Sequence, residues 1–260
     1  MQSVWQYRGL IWSSVKRDFQ ARYQGSLLGI AWTILNPLAM IVVYTLIFSE
    51  IMKARIPESA VPFAYSIYLM AGVLTWGLFA EIVMRGQSVF LDNANYLKKA
   101  NIPKLCFPII QLCNAVLNFA IVMMLFFAFL ILIGHFRIQI LPLFLVVLTV
   151  QIFLSFGLGL LLGILNVFFR DVGQFIGVFL QFWFWLTPIV YSATILPEWF
   201  ASYLAINPMA PLVGAYQQLF LQNHFTNWSA LGPSFAFAVA VNVLAWWVYR
   251  RHAPEIVDEL

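Results

Sequence analysis

Seven stretches of this sequence, each 20 or more residues long, contain no Asp, Glu, Lys or Arg, and short basic connectors separate most of them. About 20 apolar residues in a helix match the hydrocarbon thickness of a bilayer. The sequence therefore predicts an all-α polytopic membrane protein. The uncharged stretches are Leu27–Ser49, Val61–Ala80, Leu105–Gly134, Ile138–Phe169, Val172–Pro197, Trp199–Asn223 and Phe225–Tyr249.

Composition supports the same class, since 63% of the residues are hydrophobic and 9% are charged, against roughly 25% charged residues in soluble domains. The formal charge of +4 could indicate nucleic-acid binding. Cytoplasmic loops of membrane proteins also collect Lys and Arg, and this second interpretation fits the distribution better. Cys106 and Cys113 lie in or beside one apolar stretch and are predicted to be unpaired core residues.

The charge distribution decides the number of spans. Trp199–Asn223 is the weakest candidate, because Asn207 and Pro208 interrupt it. If that stretch does not span and the N-terminus is cytoplasmic, eleven Lys and Arg residues lie inside and three outside, whereas a seventh span would move Arg250 and Arg251 outside. We therefore predict six transmembrane helices, with a re-entrant helical hairpin on the outer side between the fifth and last spans.

The predicted boundaries place residues 1–260 in a single transmembrane domain. An N-terminal segment, 1–26, comes first, the loop 85–105 is cytoplasmic, and the outer hairpin occupies 192–224. The spans are predicted at about 27–49, 61–84, 106–133, 139–167, 173–191 and 227–249.

Residues 1–26 are predicted to form an amphipathic helix along the cytoplasmic membrane interface. At about 100° per residue its apolar side chains share roughly one third of the circumference, outside which Lys16 and Arg17 fall. The apolar group is Val4, Trp5, Ile11, Trp12, Val15, Phe19 and Tyr23. The helix could be a static anchor, or a moving or docking element, because it runs into Gly25 and Gly29, where bending costs little.

The cytoplasmic loop 85–105 contains a motif typical of a short capped helix. The motif consists of Asn95, Tyr96, Leu97, Lys98 and Lys99. Such a helix would present an apolar knob and positive charge to another protein. The alternative is a solvated loop whose lysines only reflect the positive-inside bias.

Catalytic motifs are scarce. No HExxH, GxSxG or CxxC occurs, the three histidines show no metal-ligand spacing, and the chain lacks a GxxxxGK[ST] phosphate loop. If transport requires ATP, another subunit must hydrolyse it. Glu81 and Arg85 lie one helical turn apart and predict an ion pair or a helix cap at the inner end of the second span. No carboxylate or lysine is expected in mid-span, which argues against an ion-coupled carrier.

The predicted spans instead hold aromatic and uncharged polar side chains. These could be lipid-facing residues and interfacial belts. They could also form a conduit wall, because aromatic faces stack on sugar rings while OH and NH groups offer hydrogen bonds. The residues concerned are Trp32, Asn36, Pro37 and Tyr44 in the first span and Phe179, Phe182, Trp183, Phe184 and Trp185 before Thr187-Pro188 in the fifth.

A series of motifs, in chain order, runs through most of the sequence. It consists of Arg17-Asp18, Arg22-Tyr23, Ser26-Leu27-Leu28-Gly29, Trp32, Pro37-Leu38, Tyr44, Asn95, Leu97, Lys98-Lys99, Pro103, Arg170-Asp171, Thr187-Pro188-Ile189, Tyr191 and Asn207-Pro208. With these motifs the chain resembles the membrane subunit of bacterial polysaccharide ABC exporters, which include O-antigen, capsule and teichoic-acid permeases. One departure is Ile102, where such proteins often carry Phe.

The resemblance implies a homodimer of six-span subunits bound to two copies of a cytoplasmic ABC ATPase. The complex would lie in the bacterial inner membrane, with both termini of the permease cytoplasmic, and would move lipid-linked polysaccharide outward, in particular the O-antigen of lipopolysaccharide. The chain itself would be non-catalytic and would hold no cofactor or metal, with ATP and Mg²⁺ on the partner subunit. No nucleic acid is expected as a partner.

The resemblance also implies residue roles. Asn95 to Lys99 would be the coupling element seated in the ATPase, and the N-terminal helix would be a gate. Its Arg8, Arg17 and Arg22 would contact the pyrophosphate of a polyprenyl carrier, which suits guanidinium geometry. The hairpin 192–224 would close the outer end of the conduit. The conduit lining would include Trp32, Tyr44, Phe182, Trp183, Trp185 and Pro188.

Two alternative functions remain. An ABC permease for teichoic acid, capsule, a small lipid or a drug would share this architecture. A membrane-embedded transferase acting on a lipid-linked sugar would need a carboxylate or histidine base near metal or phosphate ligands, and the sequence shows no cluster of acidic residues.

Overall fold

A computed structural model describes residues 4–21, 31–47, 63–99, 102–192, 197, 203–204, 206–225 and 227–260. Every regular element within these ranges is helical, which confirms the predicted all-α class. The α-helices are α1 (Arg8–Ala21), α2 (Trp32–Tyr44), α3 (Ala64–Asp92), α4 (Ala94–Lys99), α5 (Cys106–Leu132), α6 (Ile140–Phe168), α7 (Asp171–Trp185), α8 (Met209–Gln222), α9 (Gly232–His252) and α10 (Glu255–Asp258). Short 3-10 helices, Val4–Tyr7 and Trp228–Leu231, precede α1 and α9.

Four of these helices are long and apolar enough to cross a membrane. They are α3, α5, α6 and the continuous run Trp228–His252 that contains α9. They overlap the predicted second, third, fourth and last spans. α3 continues to Asp92, so the first part of the predicted loop 85–105 is helical.

α2 and α7 are shorter, with 13 and 15 residues. At 1.5 Å per residue they extend about 20 and 22 Å, less than the roughly 30 Å hydrocarbon core. The neighbouring segments 22–30 and 48–62 lie outside the described residues. α7 ends at Trp185, and an irregular segment, 186–191, occupies the end of the predicted fifth span.

The centre of the bundle is the crossing of α3 and α6, where glycines replace side chains at the contact. A Cβ added to Gly86 would lie 2.7 Å from the Gly159 Cα atom, and one added to Gly163 would lie 2.4 Å from the Gly86 carbonyl oxygen. Small residues allow this close approach of helix backbones. α5, α7 and α8 also pack on α3, while α9 packs on α6.

Buried amides extend the α3–α6 contact on both sides of the glycines. Gln151 Nε2 donates to the Thr75 carbonyl at 2.7 Å. Asn166 Nδ2 donates to Gln87 Oε1 at 2.8 Å, and Asn166 Oδ1 accepts from the Gly173 backbone N–H at 3.1 Å. Interhelical hydrogen bonds of this kind contribute about 0.6–2 kcal/mol each in membrane bundles.

One hydrophobic cluster joins the ends of four long helices on a single face of the bundle. It takes side chains from the ends of α3, α6 and α9, the beginning of α5, and the short helices α4 and α10. Lys98, Lys99, Lys104, Arg250 and Arg251 belong to the adjoining segments, so we call this face the basic face and the cluster the basic-face cluster. Its buried members are Val89, Phe90, Leu97, Phe107, Leu160, Ile164, Val167, Ala245 and Ile256.

Both ends of α8 contact the opposite face. At its beginning, the Pro208 carbonyl accepts a hydrogen bond from Ser234 Oγ at the start of α9, at 2.8 Å. At its end, the Leu221 carbonyl lies 2.9 Å from His135 Nε2 in the α5–α6 loop, and Asn223 Nδ2 lies 3.2 Å from the same nitrogen. α8 therefore packs into the bundle without carrying the chain to the basic face.

The predicted interruption at Asn207-Pro208 is confirmed, because α8 begins directly after Pro208. Much of the first arm of the predicted hairpin 192–224 lies outside the described residues. The second arm is largely buried, through Met209, Leu212, Val213, Ala215, Tyr216, Leu219 and Phe220. Within the described residues, the hairpin region is thus part of the core.

Replacing Gly86 with Ala should destabilise the protein by about 1–3 kcal/mol, because the added methyl overpacks the α3–α6 crossing. Gly77 lies on the same helix with no atom within 4 Å of its added Cβ. Gly77→Ala is therefore the matched control and should keep or slightly raise stability. Thermal unfolding of both purified variants measures the difference, and equal unfolding temperatures would contradict the close crossing.

Candidate functional site

A cavity of about 130 Å³ on the basic face lies between α1, α4 and α5. It brings Arg17 of the predicted gate helix to the same space as Tyr96 of the predicted coupling element. The lining residues are Leu10, Ser14, Arg17, Asp18, Asn93, Tyr96, Ile102, Phe107, Ile110 and Gln111. We call this space the basic-face cavity.

α1 packs on α5 through part of its predicted apolar face. Val15 is 2% exposed, whereas Trp12 is 68% exposed and Trp5 is also exposed. The helical projection predicts a single apolar face. In the structure, part of this face packs on the protein and the rest, including Trp12, is exposed. The Arg8 guanidinium lies over the Trp5 ring, 5.3 Å from its centroid, on the outward side.

Of the three arginines predicted to contact pyrophosphate, the two that the structure describes, Arg8 and Arg17, do not come together. Arg17 lines the basic-face cavity. Arg8 precedes it by nine residues, which at about 100° per residue places the two on opposite sides of α1. Arg22 lies outside the described residues. Of the two described arginines, Arg17 is the one that shares a site with another predicted functional residue, Tyr96.

Three amide side chains form a polar row along α5, and each has a partner on another helix. Gln111 Oε1 accepts from Arg85 Nη1 at 3.3 Å, and Asn118 Nδ2 donates to Glu81 Oε2 at 3.0 Å. Between them, Asn114 Nδ2 donates to an Asp18 carboxylate oxygen on α1 at 3.0 Å. This row was not predicted from the sequence, although the spacing i, i+3, i+7 of Gln111, Asn114 and Asn118 places them on one helix face.

The predicted ion pair between Glu81 and Arg85 is confirmed, with Arg85 Nε donating to Glu81 Oε1 at 2.9 Å. α3 continues past residue 84, the predicted inner end of the second span. Glu81 stands 17 residues after Ala64 and 11 before Asp92, about 16 Å from the end of α3. With 29 residues α3 is longer than the hydrocarbon core is thick, so the expectation of no carboxylate in mid-span stays a prediction. Arg85 balances the Glu81 charge, as expected for a carboxylate within an apolar helix.

α4 forms the short helix expected in the loop 85–105, and its side chains face two ways. Tyr96 is 54% exposed, and Asn95, Lys98 and Lys99 are also exposed. Leu97 is 7% exposed and packs in the basic-face cluster. The predicted apolar knob therefore consists of Tyr96, while Leu97 attaches α4 to its own chain.

The segment 186–191, which we call the outer junction, leaves the helical path on the opposite face, and side chains satisfy its freed carbonyls. Tyr65 and Tyr68 on α3 donate to the carbonyls of residues 190 and 191 at 2.7 and 2.9 Å. Gln217 on α8 donates to the Pro188 carbonyl at 3.1 Å. Irregular backbone among apolar helices requires such partners.

The residues predicted to line a conduit fall into two groups. Trp183 is part of the packing: its Nε1 donates to Asn207 Oδ1 at 2.9 Å, and its ring meets Phe79 edge to face at 5.1 Å. Pro188 is buried. Trp185 is 60% exposed, and Phe182 and Trp32 are exposed as well. The Tyr44 side chain lies outside the described residues.

A larger apolar recess, of about 540 Å³, lies between the end of α7 and the segment before α8. Trp183 forms part of its wall, so this side chain joins the packed core to an accessible surface. The lining residues are Phe179, Trp183, Leu186, Tyr203, Leu204, Ile206, Asn207 and Pro208. Aromatic and aliphatic groups dominate this wall, which fits the apolar face of a ligand or of another chain.

The electrostatics of the basic face come from exposed cations and one partly buried lysine. The guanidinium groups of Arg250 and Arg251 lie over the rings of Trp246 and Trp247, 5.1 and 5.5 Å from the centroids. Burial lowers the pKa of the Lys104 ammonium, and the Asp258 carboxylate partly offsets this effect. Among the residues that the structure describes, no three His, Cys, Asp or Glu side chains come together as potential metal ligands.

Comparison with known proteins extends these observations. The family described as ABC-2 type transporter matches residues 9–221. The chain is 32% identical over 252 residues to the O-antigen export system permease protein RfbA of Myxococcus xanthus, covering 95% of this chain and 92% of the relative. A Klebsiella pneumoniae protein of the same name is 29% identical over 240 residues, 90% of this chain and 88% of the relative. The polysialic acid transport protein KpsM of Escherichia coli is 21% identical over 236 residues, 90% of each chain.

Replacing Asn114 with Ala should loosen α1 from the bundle, because Asp18 loses the amide that donates to its carboxylate. A hydrogen bond to a charged group contributes about 1.5–3 kcal/mol, so trypsin should cleave at Lys16 or Arg17 about tenfold faster. Cys113→Ala, at the neighbouring half-buried position, is the control and should cleave at the wild-type rate. Equal cleavage of all three proteins would show that this bond does not hold α1.

Proposed function

The chain belongs to the ABC-2 type transporter family, and we propose that it is the membrane-spanning permease subunit of an ATP-driven polysaccharide exporter. The observation that carries the proposal is similarity over at least 90% of the chain to proteins named for O-antigen export and polysialic acid transport. As a transport subunit the chain provides the path. ATP and Mg²⁺ bind a separate ABC ATPase, two copies of which serve a permease homodimer.

The proposed substrate is lipid-linked polysaccharide, specifically O-antigen carried on polyprenyl pyrophosphate. Relatives at 32% and 29% identity carry O-antigen export names. The exposed aromatic side chains of α2 and α7 supply surfaces suited to sugar rings. Teichoic acid, capsule, a small lipid or a drug is the alternative cargo, and the test below distinguishes these substrates.

We assign the basic face to the cytoplasm of a bacterial inner membrane, with six spans and both termini inside. The positive-inside bias supports this orientation. The basic-face cluster supports it as well, because the ends of α3, α6 and α9 and the start of α5 meet there. α8 has both ends on the opposite face, as a re-entrant or interfacial segment requires. The described part of α2 and the short α7 would complete the six spans.

α4 is the proposed contact with the ATPase. Four of its side chains, Asn95, Tyr96, Lys98 and Lys99, are exposed on the basic face. An aromatic knob beside two cations suits a partner groove with acidic edges. Leu97 would then transmit force inward, since it packs against the transmembrane helices.

The N-terminal helix is the proposed gate at the lipid headgroup. Arg17 lines the basic-face cavity beside α4 and α5, where a pyrophosphate oxygen could approach its guanidinium. Arg8 and Arg22 stay predicted contacts. The polar row on α5 begins at the same cavity with Gln111, so headgroup binding and helix attachment would share one region.

The second copy of the chain is proposed to face α7. Exposed apolar side chains follow one stripe of this helix and continue to the residue after it: Phe175, Val178, Phe179, Phe182, Trp185 and Leu186. Two such stripes facing each other would enclose an aromatic conduit, into which Trp32 and Tyr44 of α2 could also project. The segment 192–224 would close its outer end.

The function is tested by purifying the chain with its ATPase and measuring ATP hydrolysis in the presence of defined lipid-linked glycans. We expect stimulation by polyprenyl-pyrophosphate-linked O-antigen. Stimulation by a teichoic-acid precursor, a capsule precursor or a small lipid instead would assign the alternative cargo. A chain that binds no ABC ATPase would contradict the proposal.

The coupling assignment is tested in the same complex. Reversing Lys98 and Lys99 to Glu should abolish ATPase binding or glycan stimulation while membrane insertion stays normal, because the variant opposes the acidic groove. Arg137→Glu reverses an exposed charge on the opposite face and should behave as wild type. Normal stimulation of the Lys98→Glu/Lys99→Glu double variant would remove α4 from the ATPase contact.

The conduit assignment is tested by separating Trp185 from Trp183. Trp185→Ala should reduce export of long glycans at unchanged thermal stability, because the side chain is exposed. Trp183→Ala should lower stability by about 3–5 kcal/mol, because its ring is packed and its N–H is bonded. Export assays and thermal unfolding of both variants provide the measurement. Unchanged export by the Trp185→Ala variant would indicate that Trp185 faces lipid and does not line a conduit.

A further inference from the structure

We infer that Ile256 of α10 is a positioning residue that holds the coupling helix α4 in the orientation its partner needs. The inference rests on the proposed function of α4 as the ATPase contact. It concerns a different element, for which neither the motifs nor the relatives suggest a role. It follows from how two very short helices are packed.

α4 cannot hold its own orientation. It has six residues, whereas isolated helices shorter than about 12–15 residues are marginal in water. Leu97 is the one buried side chain of α4. The orientation of α4 therefore depends on the residues that surround Leu97. This environment is the basic-face cluster.

α10 supplies one wall of that environment. Ile256 is fully buried and is the single buried residue of this four-residue helix, and both Leu97 and Ile256 belong to the basic-face cluster. α4 and α10 are in direct contact. Neither helix is long enough to be stable alone, so we attribute the position of each to the side chain that it buries in the shared cluster.

A second attachment follows α4 in the chain. Lys104 Nζ, in the segment between α4 and α5, donates a hydrogen bond to the Ala253 carbonyl at the end of α9. His252 Nδ1 lies 2.6 Å from Glu255 Oε2, which fixes the turn between α9 and α10. The polypeptide around α4 is thus connected to α10 through both apolar and polar contacts.

Because of this packing, a displacement of α4 is transmitted to specific transmembrane helices. The same cluster contains Val89 of α3, Val167 of α6 and Ala245 of α9. A push on the exposed side of α4 therefore acts on Leu97 and, through the cluster, on these three helices and on α5, which contributes Phe107. Without Ile256, α4 could rotate about its ends instead of moving these helices.

Hydrogen exchange of the full-length chain, measured without any ATPase, tests whether Ile256 holds α4 in place. Ile256→Ala should speed amide exchange within residues 94–99 about tenfold or more, because truncating a buried Ile removes several interactions of the cluster, while exchange in α6 stays unchanged. Val257→Ala truncates the next residue, which lies outside the basic-face cluster, and should leave exchange at the wild-type rate. Ile256→Val should restore most of the protection. Unchanged exchange in Ile256→Ala would overturn the inference.

The complex with the ATPase then tests the consequence. Ile256→Ala should lower the ratio of glycan-stimulated to basal hydrolysis at least about threefold, as expected for a residue that acts on coupling, and Ile256→Val should recover it. Faster exchange with an unchanged ratio would overturn the role of Ile256 in coupling. Absence of ATPase binding by the wild-type chain would instead contradict the proposed function. The exchange result would still show whether Ile256 holds α4 in place.

Discussion

The structure depends on the close approach of two helix backbones. Where α3 and α6 cross, Gly86 faces Gly159 and Gly163 with no side chain between them. Lipid tails are as apolar as a helix surface, so hydrophobicity alone does not hold helices together in a membrane, and close packing must supply the attraction. The other helices are arranged around this pair, which also fixes where the basic-face cluster and the outer junction lie.

Polar side chains in this bundle hold the irregular parts of the chain in place. Tyr65, Tyr68 and Gln217 bind the carbonyls of the outer junction, and Asn114 holds α1 through Asp18. An unpaired polar group in an apolar environment costs several kcal/mol. Each of these contacts therefore specifies one arrangement of two segments.

Much of the fold could be predicted from the sequence, because uncharged length and the charges between spans follow directly from the membrane. The helix break at Asn207-Pro208, the Glu81–Arg85 ion pair and the family resemblance were all confirmed. The direction of individual side chains could not be predicted. Periodicity shows which residues share a helix face, but lipid and protein cores are equally apolar. The division of the α1 face, the inward turn of Leu97 and the packing of Trp183 depend on neighbours from distant parts of the chain.

The unequal burial of the long helices limits how such a sequence can diverge. In the most apolar 18-residue segment of α3, 67% of the residues are buried. The corresponding fraction is 28% in α5 and in the helix that contains α9. A position facing fluid hydrocarbon accepts many apolar side chains, whereas a position within close-packed protein accepts few shapes. Neutral substitutions should therefore accumulate mainly on α5 and α9. A chain of this kind can lose most of its sequence identity there while α3 keeps its pattern of small and bulky residues.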